Sequence, residues 1–269
     1  MVKIIGKNII RGLKLPKPNS RKRENGRLLI IAGLEPRYFG ALLYCVTTAS
    51  RIVDLIYLMS APENKRLMEK LRLTTAEFMP INQQINRLTT NDIDTILIGP
   101  GMGPTLATKR LTSTVLKSGK KAVLDADALN VLDNNLKKLL SPLHILTPHH
   151  KEFYRLFKLS ATEQNASKMG KKYRCTIVLK GPTDVIAGPN GKISLNKTGN
   201  AGMTKGGTGD VLAGLIGGLY CTNDAYASAA AGTYINGAAG DNLYKKVGTS
   251  YNAEDLVNQI PLTLHKLTK

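Results

Sequence analysis

The sequence predicts one α/β domain with a largely parallel sheet covered by helices on both faces. Short apolar runs alternate with helical segments from residue 27 to about residue 180. These runs are apolar throughout, as expected for parallel strands buried on both faces. No linker, repeat or low-complexity segment interrupts the alternation. We therefore expect a single catalytic domain at residues 27–269, preceded by a basic arm at residues 1–26.

The elements follow from periodicity and from turn residues. Strands are predicted at 27–33, 52–59, 94–98, 121–127, 143–146 and 175–179. A Pro189-Asn190-Gly191 turn joins residues 185–187 and 192–196 into a β-hairpin. Helices are predicted at 41–50, 63–72, 105–117, 128–135, from 151 onwards, and at 162–173, 225–245 and 253–264. Residues 74–87 are ambiguous because Pro80 interrupts any long element.

The composition is that of a globular protein, with 42% hydrophobic and 21% charged residues in 269. No run of eighteen apolar residues and no signal segment is present, so we expect a cytoplasmic protein without a membrane partner. The three Cys and four His residues lack metal-ligand spacing and a disulfide pattern. A zinc site and a disulfide framework are therefore not expected.

The formal net charge of +19 raises the question of nucleic-acid binding. The first 27 residues hold much of this charge, with one acidic residue, Glu24, against nine basic ones: Lys3, Lys7, Arg11, Lys14, Lys17, Arg21, Lys22, Arg23 and Arg27. Aromatic residues make up only 5% of the chain, and no recognition motif is present. We expect a basic surface that attracts anionic nucleotides, and no nucleic acid as the main partner.

A glycine-rich turn at Gly206-Gly207-Thr208-Gly209-Asp210 leads directly into an apolar helix. The first N–H groups of a helix lack internal partners and attract anions, and glycines let a phosphate approach the backbone. Asp210 has two interpretations at this stage. It is either a general base that takes a proton from an attacking hydroxyl group or an N-terminal helix cap.

Four other loops follow predicted strands, at 100–103, 125–127, 147–150 and 180–184. In a parallel sheet they share one edge with residues 206–210 and line one cleft. Asp125 and Asp127 are two residues apart in a strand, so both side chains are expected on one face, although either could instead cap the next helix. The GPGMG loop could serve only backbone geometry, and His149 could be a surface residue.

At this level of detail the chain resembles the ADP/ATP-dependent NAD(P)H-hydrate dehydratases of the ribokinase-like superfamily. The resemblance extends from about residue 24 through NGRLLIIAG, YFGA, ILIGPGMG, VLDADALN, ILTPHHKEF, VLKGPTDVI and NKTGNAGMTKGGTGDVLAGL. It implies a three-layer ribokinase-like fold with a small β-hairpin near the nucleotide site. The implied reaction phosphorylates the C6 hydroxyl of hydrated NADH or NADPH with ADP or ATP, then eliminates phosphate. A small-molecule kinase of the same fold, acting on a vitamin or sugar alcohol, is the alternative.

The resemblance also assigns roles to residues. Asp210 is the implied catalytic base, and Mg²⁺ is the implied companion of the nucleotide. The hydrated dinucleotide is expected to contact Ala41, Gly103, His149 and Asp210. The adenine nucleotide is expected to contact Lys180, Gly181, Pro182, Thr183, Asp184, Gly206, Gly207, Thr208 and Gly209. Asp127 and Asn200 are expected in supporting roles.

Three positions depart from the family pattern. Leu34 replaces a serine after the first strand, Lys151 replaces a glycine after His149, and Asp184 stands where the family has threonine. Family members are often fused to an epimerase domain, for which this chain has no room. The expectation is a free-standing dehydratase that forms a homo-oligomer and works with a separate epimerase.

Overall fold

The computed structural model of the protein describes residues 2–73, 75, 77–81 and 91–269. Within them, ten strands, β1 to β10, lie at Lys3–Ile4, Arg27–Ile31, Leu55–Met59, Met79–Pro80, Thr95–Ile98, Lys121–Leu124, His144–Leu146, Thr176–Leu179, Asp184–Ala187 and Ile193–Asn196. Ten α-helices, α1 to α10, lie at Phe39–Ala49, Lys65–Leu71, Leu106–Lys117, Ala126–Asn130, Asn134–Lys137, His150–Phe157, Glu163–Tyr173, Thr208–Tyr220, Ala225–Val247 and Ala253–Thr268. Short 3₁₀ helices lie at Lys7–Gly12, Pro36–Tyr38, Pro62–Asn64 and Ala201–Thr204.

The described strands form one sheet in the order β1-β10-β9-β8-β7-β6-β5-β2-β3-β4. Neighbouring strands are parallel except at β9, which is antiparallel to both β8 and β10. Because β9 is antiparallel to both of its neighbours, β10 runs in the same direction as β8. The carboxyl ends of β2, β5, β6, β7, β8 and β10 therefore lie at one edge of the sheet.

Helices cover both faces, as the apolar strands require. One face packs against α3, α6 and α7, through residues such as Val115, Phe153 and Met169. The other face packs against α1, α8 and α9, through residues such as Val46, Ile216 and Ala230. A third cluster joins α8 and α9 to α10. This is the predicted three-layer architecture, and the fold class is confirmed.

Close packing of α8 explains its small residues. A Cβ atom on Gly214 would lie 2.6 Å from the backbone oxygen of Cys45 in α1, and one on Gly218 would lie 2.9 Å from Ile52. These approaches hold the middle of α8 against α1 and its last turn against the segment that follows α1. They fix the position of the glycine-rich turn relative to the sheet.

The first residues pack against the domain. β1 pairs in parallel with β10, Ile10 is buried in the third cluster, and the backbone N–H of Lys14 donates to Asn223 at 2.7 Å. The boundary at residue 26 stays a prediction, and residues 3–14 contribute to the sheet edge and the core.

Two helix predictions need correction. The helix expected at residues 128–135 is two short helices, α4 and α5, and Asp133 caps the second through the N–H groups of Asn135 and Leu136. The helix expected at residues 63–72 begins as a 3₁₀ turn at Pro62–Asn64. Of the ambiguous residues 74–87, those at 74, 76 and 82–87 lie outside the described residues, and β4 forms at Met79–Pro80.

Candidate active site

The glycine-rich turn begins α8 in the predicted position. Gly207 is the N-cap residue, with φ of 92°, and a Cβ atom there would lie 2.5 Å from the Tyr44 ring. Only glycine fits this left-handed, crowded position. The N–H groups of Gly209 and Asp210 have no acceptor among the described residues. Gly206 is exposed beside them, so the turn presents free donors.

Asp210 lies in the first turn of α8, three residues after the N-cap. The capping interpretation is wrong, because no side chain caps this helix. The Asp210 carboxylate is half-buried and accepts no hydrogen bond from the described residues. Its backbone oxygen accepts from Sγ of Cys45 at 3.4 Å. The carboxylate is thus left with its acceptor positions free.

Lys180 pairs with Asp125 and interacts electrostatically with Asp210. Its Nζ is 2.8 Å from Oδ1 of Asp125, and a Cβ atom built on Gly209 would lie 3.8 Å from the same nitrogen. Thr147 also donates to Oδ1 of Asp125, at 2.7 Å. The exits of β6, β7 and β8 and the start of α8 therefore meet around the Asp125–Lys180 pair.

The ionisation of these groups reflects burial and mutual charge. Burial raises the pKa of Asp210 to about 7, the charge of Asp125 acts in the same direction, and Lys180 opposes them. Burial lowers the pKa of Lys180, but Asp125 and Glu152 outweigh it and leave that pKa above its ordinary value. Asp210 is therefore suited to exchange a proton near neutral pH beside a fixed positive charge.

His149 forms the cap of α6. Its Nδ1 accepts from the N–H groups of Lys151 and Glu152, at 3.1 and 3.3 Å, and Glu152 accepts from the N–H of His149 at 2.8 Å. Burial lowers the pKa of His149, which favours the neutral ring. Because Nδ1 accepts, the proton is assigned to Nε2. The ring is about half exposed and can donate to a ligand, and Lys151 in place of glycine leaves the cap intact.

The GPGMG loop is fixed from two sides. Oδ2 of Asp127 accepts from the N–H of Gly103 at 2.7 Å, and Oδ1 accepts from Asn130 at 3.0 Å. A Cβ atom on Gly101 would lie 3.4 Å from Cβ of Ala41, which places α1 against the same loop. Ala41 and Asp127 thus both lie at the loop that contains Gly103, and Asp127 supports the loop by holding Gly103. The contacts expected between the dinucleotide and Ala41 and Gly103 stay predictions.

The expectation that Asp125 and Asp127 share a face is wrong. β6 ends at Leu124, and Ala126 turns the chain with φ of 45°, so Asp127 lies in α4. Asp125 holds the N-cap position of α4 without capping it and faces Lys180, while Asp127 faces Gly103. The two carboxylates serve opposite sides of the cleft.

The loop after β8 carries the expected nucleotide contacts. Asp184 closes it by accepting from the N–H of Gly181 at 3.1 Å and from Asn196 at 3.1 Å. Burial raises the pKa of Asp184. Pro182 is exposed and Thr183 half-buried. Asp184 therefore shapes this loop from behind, although the family has threonine at this position.

Thr208 and Asn200 support the glycine-rich turn. The Thr208 hydroxyl donates to the carbonyls of Met203 and Lys205, at 2.7 and 2.9 Å. Asn200 caps the preceding 3₁₀ helix, accepts from Tyr251 at 2.8 Å and donates to Asp241 at 3.0 Å. Both side chains are committed to the protein.

Comparison with known proteins identifies the family of this chain. The family model described as NAD(P)H-hydrate dehydratase matches residues 28–262. The chain is 38% identical to the bifunctional NAD(P)H-hydrate repair enzyme Nnr of Methanocaldococcus jannaschii over 274 residues, which is 97% of the chain and 52% of that enzyme. The chain belongs to the NAD(P)H-hydrate dehydratase family. It spans about half the length of the curated relatives it matches.

Solved structures distinguish this family from related kinases. The ADP/ATP-dependent NAD(P)H-hydrate dehydratase of Bacillus subtilis, co-crystallised with ATP and Mg²⁺, superposes with a TM-score of 0.87 at 25% identity, covering 99% of both chains. The hydroxyethylthiazole kinase of Pyrococcus horikoshii gives 0.64 at 16% identity, covering 97% of this chain and 94% of that chain, which shows the fold alone. The NAD(P)H-hydrate dehydratase and ribokinase-like resemblances are both confirmed.

A metal site built from protein side chains is not found among the described residues. They contain no group of three His, Cys, Asp or Glu side chains that could hold an ion. They also contain no helix that is both long and apolar enough to cross a membrane. Mg²⁺ in phosphoryl transfer is held largely by phosphate oxygens and water, so a Mg²⁺–nucleotide complex needs no preformed cage.

Three side chains of this site were not predicted as site residues. The sequence pattern predicts no site role for Glu152 or Thr147 and gives Asp125 only as one of two strand-end carboxylates. Glu152 had a readable signal, since it stands three residues after His149 at the start of a helix, where a capping box forms. Asp125 and Thr147 have no such signal, because Lys180 is 55 residues from Asp125 and Asp125 is 22 residues from Thr147 along the chain.

Proposed function

We propose that this chain dehydrates hydrated NADH and NADPH, with ADP or ATP as phosphoryl donor. The observation that carries the proposal is the meeting of Asp210, Lys180 and the free N–H groups of α8 at one edge of the sheet. Family membership supplies the substrate class. Water is a poor leaving group from C6 of the hydrated ring and phosphate is a good one, which explains the need for a nucleotide.

In the proposed reaction, Asp210 takes the proton of the C6 hydroxyl group while the oxygen of that hydroxyl group bonds to the terminal phosphorus of the nucleotide. The bond between that phosphorus and the bridging oxygen breaks, leaving AMP from ADP or ADP from ATP. Lys180 and the N–H groups of Gly209 and Asp210 stabilise the negative charge on the transferred group. The C6–O bond then breaks, phosphate leaves, and loss of a proton from C5 restores the double bond of NAD(P)H.

The substrates are assigned to opposite sides of Asp210. We place the hydrated dinucleotide against Ala41, Gly103 and His149, where the neutral ring offers an Nε2–H donor. We place the nucleotide, as its Mg²⁺ complex, against the loop at residues 180–184 and the turn at 206–209. Mg²⁺ would enter with the phosphates and neutralise part of their charge. Cytoplasmic location, homo-oligomeric assembly and a separate epimerase partner stay predictions.

The direct test is incubation with hydrated NADH and Mg²⁺ together with ADP or ATP, following the absorbance at 340 nm. Recovery of NADH with release of phosphate is expected with at least one nucleotide. A small-molecule kinase would instead accumulate a phosphorylated organic product, which ³¹P NMR distinguishes from free phosphate. If NADH is recovered with neither ADP nor ATP, the proposal is refuted.

A further inference from the structure

We propose that Asp125 is a positioning residue for phosphoryl transfer, because its buried carboxylate fixes the Lys180 ammonium beside the first turn of α8 and faces Asp210 with a negative charge. The proposal rests on the proposed function for its consequence in catalysis. Its geometric part concerns three side chains of the chain and can be tested without turnover.

Asp125 is held in a way that points its carboxylate into the site. The side chain is 3% exposed, against 19% for Lys180, and Oδ1 receives hydrogen bonds from both Lys180 and Thr147. The backbone is equally constrained. A Cβ atom on Gly99 would lie 1.8 Å from the Asp125 carbonyl oxygen, so β5 packs directly on the exit of β6.

A purely structural role explains this arrangement poorly. Asp125 occupies the N-cap position of α4, where a carboxylate ordinarily accepts from the first turn, yet it makes no capping bond. The next residue, Ala126, adopts a left-handed conformation with φ of 45°. Burying an ion pair costs desolvation that apolar residues would avoid. Asp125 thus makes no capping bond and instead forms a buried ion pair with Lys180, at the place where the nucleotide and the base meet in the proposed reaction.

The charged groups around Asp210 set the direction of the effect. Asp125 and Lys180 face it from β6 and β8, and Cys45 contacts its backbone from α1 with a thiol whose pKa burial raises. Glu152 and His149, at the start of α6, act on Lys180 and sense Asp125. Removing the charge of Asp125 takes away one repulsion and leaves Lys180 free to pair with Asp210. Both changes lower the pKa of Asp210.

The experiment titrates Asp210 directly in D125N. Protein labelled with ¹³C in the Asp carboxyl groups is followed by NMR from pH 4 to 9, and the Asp210 signal is assigned by its absence in D210N. The Asp210 midpoint should fall by about one pH unit or more in D125N. Asp133→Asn is the matched control, because this exposed carboxylate pairs with Lys109 outside the site and should leave the midpoint unchanged.

An unchanged Asp210 midpoint in folded D125N overturns the proposal, as does an equal shift in D133N. If D125N is recovered unfolded, Asp125→Ser carries the same expectation, since the smaller side chain leaves room for water at the Lys180 ammonium. Folding is checked by near-UV circular dichroism.

The rate profile adds a second readout. The acid limb of kcat/KM for dehydration should move to lower pH in D125N by the same shift as the titration, whereas loss of stability alone would leave the limb in place. An unmoved limb alongside a moved midpoint refutes the catalytic part of the proposal. Failure of wild-type protein to dehydrate any hydrate refutes the proposed function, while the titration still decides the placement of Asp125.

Discussion

Two carboxylate–cation pairs lie at opposite edges of the sheet and differ in what they leave free. At the amino edge, Asp94 accepts from Arg27 at three points, its N–H at 2.9 Å, Nε at 3.0 Å and Nη2 at 2.7 Å. At the carboxyl edge, Asp125 accepts from Lys180 at the single distance of 2.8 Å. The Arg27 guanidinium donates twice to Asp94, and we call this the closed pair. The Lys180 ammonium group donates once to Asp125 and has further N–H donors, and we call this the open pair.

The difference shows that pair distance does not identify a functional site. Both ion pairs are short, and both cations are about one-fifth exposed. What separates them is the surroundings of the cation. Lys180 faces a second carboxylate, Asp210, and a helix start with free N–H groups. Among the described residues, Arg27 forms ion pairs with Asp94 and, at 3.7 Å, with the exposed Asp92. The amino edge therefore joins strands, and the carboxyl edge carries the groups assigned to the proposed reaction.

The largest effect is expected from Asp210→Asn. The amide retains the shape of the side chain but cannot take the hydroxyl proton, so kcat should fall by about 10²–10⁴-fold. Nucleotide affinity, measured by isothermal titration calorimetry, should change little. Because Gly207 and not Asp210 begins the helix, the melting temperature should not fall as it would on loss of a cap. Retained turnover would remove Asp210 from the role of base.

Lys180→Met is expected to have the next largest effect. Loss of the charged donor should lower kcat/KM for the nucleotide by about 10–100-fold, as expected for a hydrogen bond to a charged group. Asp125 is left buried without its partner, so the free energy of unfolding should also fall. The double variant D125N/K180M separates these effects, since it should regain stability without regaining nucleotide affinity. Recovery of both would make the pair purely structural.

The pH dependence tests the open pair in the unmodified protein. A base must be ionised, and the pKa of Asp210 is raised to about 7 by burial, so kcat/KM should rise with pH through about 7. Below that value it should fall about tenfold for each pH unit. His149 does not produce this limb, because burial lowers its pKa below the ordinary value. A limb near pH 4 in the unmodified protein would contradict the assignment. So would a limb near pH 7 that persists in D210N.

The sequence predicts the cleft well because its placement follows from topology. Once the strands are parallel, their exits share an edge, and Asp210, Lys180, His149 and Gly103 are brought to it without any knowledge of side-chain direction. The family resemblance adds Ala41, which no periodicity would select. These parts of the site depend on residue order along the chain.

The sequence does not predict the details that depend on side-chain direction and long-range packing. Whether Asp210 can be the N-cap depends on which residue begins α8. That residue is Gly207, because its left-handed conformation and its close packing against Tyr44, more than 160 residues earlier in the chain, admit only glycine. The separation of Asp125 from Asp127 depends on the left-handed Ala126. Likewise, pairing of β1 with β10 joins residues 3 and 194, and a charge count at the N-terminus cannot reveal it.

The smallest effect is expected at the closed pair. Arg27→Met removes the two side-chain bonds to Asp94, from Nε and Nη2, and should lower the free energy of unfolding by about 1 kcal/mol, since the pair is partly solvated. The backbone N–H of residue 27 still donates to Asp94, which limits the loss. Turnover at saturating substrate should stay within about twofold of the unmodified protein. Urea denaturation and the dehydration assay on one preparation give both numbers, with Asp94→Asn as the matched variant. A loss of turnover like that of Lys180→Met would show that the two edges are coupled, and the contrast between a joining edge and a reacting edge would then be abandoned.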